Sequence, residues 1–368
     1  MLKRWLGLPF AALLIAGLAC NTAELKTPDD TSGGTSGVPE IPPEETGAVD
    51  GGGRGGALDG GAVVIPTSSS VTIQVQPSDY GAAIEAAIRA AKTSVHMTMY
   101  LLTDTSVIDA LGDLKAAGKD VKVILNQTFP PNGGDNTPAY SSLKSRGVNV
   151  VYAPAAYTYT HAKAVVIDGA KVLIMTMNLT QTSAKGNREY IATDSDPADV
   201  ADCEQLFTAD FTGAGIQIPS NLVISPPRTT SVDARSRLKA LIDSAKTSLD
   251  VEVQSVSDTV LTDAIIQAHK DKVAVRVVVA SGNTDSAGEK ETAAKFKAAG
   301  VPAVGVLTPY IHAKAVVVDG AKVWVGSHNF TSTALDMNRE LGVITDAPAE
   351  VAKVRDQIGK DFAAGTPL

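Results

Sequence analysis

The sequence predicts an α/β protein built from two repeated domains. Each holds a mixed sheet flanked by helices, and a pseudo-twofold axis relates the two. Three observations carry this. The 368-residue chain is long enough for two domains. Apolar β-type runs alternate with helix-period segments. Most tellingly, the chain matches itself. AKTS at 91–94 returns at 245–248, an offset of 154, and HAKAVVIDGAKV at 161–172 returns as HAKAVVVDGAKV at 312–323, an offset of 151 with 11 of 12 positions identical. Asn178 and Asn329, and the NRE triplets at 187–189 and 338–340, keep the second offset.

Taken in order, residues 1–20 read as a targeting leader: Lys3 and Arg4, then an apolar run of about 15 residues, too short for the roughly 20 of a membrane span. Small residues precede Cys20, as in bacterial lipoprotein leaders, so Cys20 is the expected lipid-bearing residue. Gly17 departs from the leucine usual three positions before that cysteine, and plain secretion after Ala19 is the alternative. The expected location is the cell envelope, or outside the cell. Residues 21–66 form an acidic, Gly/Pro-rich tether with too little apolar content to fold by itself.

The first domain is expected over 67–223. The pattern predicts strands at 71–76, 95–102, 121–125 and 148–152, and a strand pair at 165–167 and 172–177 turning at Asp168–Gly169–Ala170. Helices are expected at 79–91, 105–117 and 197–211, with a short one ending at Gly147 and a loop at 126–138. ISPPRTT at 224–230 is the expected linker, and 231–368 the second domain. Cys203 falls on a helical apolar pattern and reads as a buried free thiol.

Composition narrows the function. The formal charge is −8, and residues 67–368 carry about half of it, which disfavours a general nucleic-acid binder. Aromatics are 5%, too few for stacking platforms. Two cysteines and five histidines leave little for a metal cluster, so no metal or cofactor is expected.

The repeated block carries the chemistry. Spacing of two puts His161 and Lys163 on one face of a strand, and likewise His312 and Lys314. Asp168 and Asp319 end those strands with the opposite parity. Asn178 and Asn329 lie on the next strand, and Glu189 and Glu340 equally far downstream. A doubled His–Lys pair suits phosphodiester cleavage. Two lysines stabilise the anionic transition state, one imidazole attacks phosphorus, and the other protonates the leaving oxygen. Each imidazole needs a partner on its other nitrogen, and either glutamate could serve.

The chain resembles the phospholipase D superfamily, whose motif HxKxxxxD is followed after six residues by GSxN. His312, Lys314, Asp319, Gly326, Ser327 and Asn329 fit it fully. His161, Lys163, Asp168 and Asn178 fit in the first copy, where Met175 and Thr176 replace Gly-Ser. The resemblance spans about 67–363. It implies catalysis by His161, Lys163, Asp168, His312, Lys314 and Asp319 without a metal. His161 would form a phosphohistidine, with His312 as acid and the roles reversible. It also implies that Glu189 and Glu340 hold the imidazoles, with Asn178, Asn329 and Ser327 supporting the phosphate. The expected substrate is a phospholipid, with water as acceptor and a membrane surface as partner. An endonuclease, a phosphatidyl transferase and a non-catalytic phosphate or lipid binder are the alternatives. One chain supplies both halves of the site, so a monomer suffices.

Overall fold

The structure, a computed structural model, describes residues 65–130, 133–214, 218, 220–226, 233–281 and 286–368. The expected leader, Cys20 and nearly all of the tether lie outside these residues. So do most of the linker and parts of the loops at 126–138 and 281–290.

In chain order the first half comprises β1 (Val71–Gln76), α1 (Ala82–Arg89), β2 (Ser94–Met99), α2 (Thr105–Ala116), β3 (Asp120–Leu125), α3 (Thr137–Ser145) and β4 (Asn149–Tyr152). It continues with β5 (Ala164–Ile167), β6 (Lys171–Met175), α4 (Gln181–Gly186), β7 (Asn187–Asp194) and α5 (Pro197–Phe211). The second half comprises β8 (Val223–Ser225), α6 (Ala234–Asp243), β9 (Ser248–Val253), α7 (Thr259–Lys270), β10 (Ala274–Ala280), α8 (Ala287–Ala299), β11 (Ala303–Val306) and β12 (Tyr310–Ile311). Then come β13 (Lys314–Val318), β14 (Lys322–Gly326), a π-turn (Thr333–Met337), β15 (Glu340–Thr345), α9 (Pro348–Ala364) and β16 (Thr366–Pro367).

Each half is a mixed sheet. The orders β7-β6-β5-β2-β3-β4 and β15-β14-β13-β9-β10-β11 are the same path run twice. The parallel strands come first and take helical crossovers; the motif strands follow as an antiparallel hairpin. Several ends differ from the sequence expectation. The helix expected from 79 starts at Ala82, because Gly81 is left-handed (φ 81) and Asp79 caps the turn, accepting from the Ala83 amide at 2.8 Å. The strand expected to reach Leu102 leaves the sheet after Met99, which frees Tyr100 to point elsewhere. Ile224 and Ser225, expected in the linker, belong to β8, which pairs with β15.

Neither β7 nor β15 was expected, and both matter most. Their inward residues include charged groups, which breaks the apolar alternation that marks a strand. These strands line the seam between the halves. Arg188 on β7 grips Asp361 of α9 (2.7 and 3.2 Å), and Arg339 before β15 grips Asp210 of α5 (2.8 and 2.9 Å). Both forks cross the seam, and the Arg339 pair is fully buried. Breaking such a pair strands a charge. One apolar cluster also mixes residues of both halves, among them Val166, Ile174, Val317 and Val325.

The two sheets differ where Met175 stands for Gly326. Trp324 fills the second half, and a Cβ on Gly342 would sit 2.4 Å from its Nε1 and one on Gly326 2.8 Å from its Cζ2. The first half has Leu173, Met175 and Ile191 instead. The volume is exchanged between neighbours. Gly342→Ala should therefore destabilise the fold by about 1–3 kcal/mol through overpacking, read as a lower denaturant midpoint at unchanged slope.

Candidate active site

His161 and His312 stand just ahead of β5 and β13, where each chain crosses to the opposite half. His161 N–H and Ala162 N–H both donate to Arg339 O at 2.9 Å, and β12 pairs with β7 at Tyr310–Asn187 and Ile311–Arg188. Each histidine is thus laid against the strand that carries the other half's glutamate. His161 Nδ1 lies 2.9 Å from both oxygens of Glu340, 179 residues away. His312 Nδ1 lies 2.7 Å from Glu189 Oε1, a close polar contact rather than a well-aligned hydrogen bond. The sequence left open which carboxylate serves which imidazole; the structure crosses them. In both rings Nε2 is the nitrogen turned from the carboxylate.

The glutamates are held in turn. Thr176 Oγ1 donates to Glu189 Oε2 and Asn187 Nδ2 reaches Oε1 at 3.3 Å. Asn338 Nδ2 donates to Glu340 Oε1 at 3.1 Å. Ser327 Oγ accepts the Leu341 amide at 3.0 Å, as Thr176 Oγ1 accepts the Tyr190 amide at 2.9 Å. Thr176 therefore does what Ser327 does, and the departure from Gly-Ser leaves the hydroxyl in place.

The lysines are buried beside the imidazoles. Lys163 Nζ donates to His161 O at 2.5 Å and lies 5.0 Å from the centre of the Tyr100 ring, which also meets the His161 ring edge-on at 4.7 Å. Lys314 Nζ donates to His312 O at 2.7 Å and to Gln254 Oε1 at 2.9 Å. Tyr100 and Gln254 occupy matching places in the repeat, and no motif reading singled them out. Asn178 and Asn329 are buried, each with an amide oxygen that meets no protein partner. His328, between Ser327 and Asn329, is fully buried with neither ring nitrogen hydrogen-bonded.

Burial sets the protonation states. It pushes the His161 imidazole well below its ordinary value, and the cations of Lys163 and Lys314 and the nearby His312 add to this. His312 is pushed down to about 4 by burial, against the pull of Glu189. Burial also lowers Lys314 to about 8 and pushes Lys163 well below the usual lysine range. Burial raises Glu340. It acts on Glu189 in the same sense, but His312 and Lys314 outweigh it and that carboxyl stays low. The resting site thus holds neutral imidazoles beside carboxylates and lysines drawn from both halves. No cluster of three or more His, Cys, Asp or Glu side chains among the described residues is arranged to hold a metal.

Asp168 and Asp319 are not in this cluster, contrary to the catalytic role that the resemblance implied. The Asp168 carboxylate accepts the backbone N–H groups of Lys92, Thr93 and Ser94 (2.7–3.1 Å) and the Thr93 hydroxyl. Asp319 does the same with Lys246, Thr247 and Ser248. The physical reason is the hairpin turn. Asp168 (φ 58) and Asp319 (φ 55) are left-handed, each followed by a left-handed glycine, which aims the carboxylate at the start of the neighbouring strand. Burial raises the Asp168 carboxyl, but those N–H donors win and hold it at about 2. The repeated AKTS segment is therefore the other half of this clamp. Asp168→Ala should cost about 1–2 kcal/mol of stability and leave the chemistry intact, checked by thermal melting beside an activity assay.

Residues 84–211 and 238–362 each match the family described as cardiolipin synthase, PLD-like domain. The chain belongs to the phospholipase D superfamily. Curated relatives include mitochondrial cardiolipin hydrolases, from Danio rerio (33% identical over 132 residues, 36% of this chain and 58% of the relative) and Xenopus tropicalis (36% over 121 residues, 33% and 56%). The chain thus spans a little over half the length of these relatives. Among solved structures, phosphatidylserine synthase from Haemophilus influenzae superposes with a TM-score of 0.62 at 13% identity, covering 79% of this chain and 86% of that one. At that identity the likeness concerns the fold.

Proposed function

We propose that the chain is a phospholipase D-type phosphodiesterase. It hydrolyses the phosphodiester of a phospholipid through a covalent phosphohistidine and without a metal ion. The observation that carries this is the crossed pairing of His161 with Glu340 and of His312 with Glu189, with Lys163 and Lys314 beside them. Membership of the superfamily and the cardiolipin-acting names of the relatives support the choice of a lipid.

His161 is neutral in the resting site, so its Nε2 lone pair is available to attack phosphorus. The new P–N bond replaces the P–O bond to the leaving alcohol, whose oxygen takes a proton from His312. His312 is neutral when the site is empty. An arriving phosphodiester anion raises its proton affinity, and Glu189 stabilises the imidazolium. The neutral His312 then takes a proton from water, whose oxygen attacks phosphorus and releases His161. Lys163 and Lys314 hold the phosphoryl oxygens as charge builds on them. Asn178 and Asn329 add polar contacts to the bound phosphate, and Ser327 keeps the strand under Glu340 in register.

Burial places the Lys314 ammonium near pH 8, charged below and neutral above. The value of kcat/KM on a water-soluble diester should therefore fall as pH rises past about 8. A profile flat to pH 10 would contradict the role of Lys314. The decisive assay for the substrate is head-group release from phospholipid vesicles in EDTA, run beside DNA. Phosphatidic acid is the expected product, and degradation of DNA alone would overturn the lipid reading. We also propose export with a lipid on Cys20, which globomycin-sensitive processing in a bacterial host would test.

A further inference from the structure

The segments leading into the two histidines, or packed beside them, carry exposed apolar side chains. Among the described residues four large hydrophobic side chains are exposed: Leu307 (70%), Tyr80 (62%), Met337 (39%) and Val260 (39%). Leu307 stands five residues before His312, on the segment whose Tyr310 pairs with Asn187. Met337 stands beside the segment into His161, its carbonyl accepting the Thr158 N–H at 3.0 Å. Tyr80 adjoins α4 on the Asn187 side, since a Cβ on the next residue, Gly81, would lie 3.8 Å from the Ala184 Cβ. Lys185 is exposed on the same helix.

These exposures are not a by-product of the duplication. At the repeat offset of 151, Leu307 corresponds to Ala156 and Met337 to Gly186, so the apolar side chains stand where the other copy is small. Isolated surface hydrophobics are ordinary, but two that stand on or beside the segments entering one buried site are not scattered. His161 and His312 are only 6% and 9% exposed. A diester fixed at the surface of a bilayer reaches such imidazoles only if these segments press into that surface.

We propose that Leu307 and Met337, with Tyr80 at the interfacial level, dip into a phospholipid surface and bring head-group phosphates to the site. The proposal rests on the phosphodiesterase reading above and names the surface that reading requires. Leu307 and Met337 lose water-exposed apolar area on insertion, Tyr80 suits the head-group layer, and Lys185 meets anionic lipid.

The test compares the chain purified as Cys20→Ser, so that no lipid anchors it, with the same chain carrying Leu307→Asp/Met337→Asp. Three measurements are made: flotation with vesicles of phosphatidylglycerol and phosphatidylcholine, head-group release from them, and turnover of soluble bis(p-nitrophenyl) phosphate. The variant should lose vesicle binding and on the order of 10–100-fold in vesicle turnover, with soluble turnover unchanged. Unchanged vesicle binding would overturn the proposal, and so would an equal fall on the soluble diester, which would mean that the residues shape the site. If the parent chain binds vesicles through these residues but cleaves no phospholipid, the surface stands and the lipid substrate falls.

Discussion

Replacing His161 by Ala should abolish turnover of every diester, because it removes the imidazole assigned to attack phosphorus and leaves His312 only its acid–base role. His312→Ala should behave differently, and the difference assigns the roles. With a phospholipid the leaving alkoxide needs a proton, so loss of His312 should cost about 10²–10⁴-fold. With bis(p-nitrophenyl) phosphate the leaving group departs unprotonated, so the first step survives. Water activation does not, and the P–N adduct should then accumulate. Rapid-quench kinetics of His312→Ala should show a burst near one nitrophenolate per chain followed by slow turnover. A burst from His161→Ala, with none from His312→Ala, would reverse the two roles.

Replacing each carboxylate by its amide should slow the enzyme about 10²–10³-fold, and the effect should appear on the histidine of the opposite half. Glu340→Gln keeps the volume beside His161 Nδ1 but removes the charge that stabilises the imidazolium formed as phosphorus is attacked. Adduct formation should slow most. Glu189→Gln removes the same support from His312, so lipid cleavage and adduct hydrolysis should slow while the nitrophenyl burst is kept. The paired outcome separates catalysis from folding, since a merely misfolded variant would lose both steps together. An amide at 189 that slowed only the His161 step would contradict the crossed pairing.

Much of this site was legible in the chain, and the illegible part has a common cause. The repeat marked His161, Lys163, His312 and Lys314, because the same spacing at the entrances of two equivalent strands imposes the same direction. It could not say which glutamate meets which histidine, because that depends on how two sheets pack, a distance of 179 residues along the chain. The strands β7 and β15 escaped notice for a related reason. The seam between the halves is polar: Asn187 and Glu189 are buried on β7, and Arg188 between them is half-buried against Asp361. A signal was present. Arg188 and Arg339, and Asp210 and Asp361, keep the offset of 151, and a charge repeated at one interval in a core-like segment points to a buried pair. Asp168 misled through its place in the motif, although its parity and the Asp-Gly turn already aimed it at the neighbouring strand. Tyr100 and Gln254 carry no motif at all. They reach the lysines only because β2 and β9 stop short.

The most direct measurement is a crystal structure of the chain soaked with orthovanadate, which adopts the five-coordinate geometry of phosphorus in flight. Vanadium should sit between the halves, with His161 Nε2 and His312 Nε2 at opposite apices and Lys163 and Lys314 on its equatorial oxygens. Vanadate bound to a single histidine, with the other imidazole turned out of reach, would contradict the shared site.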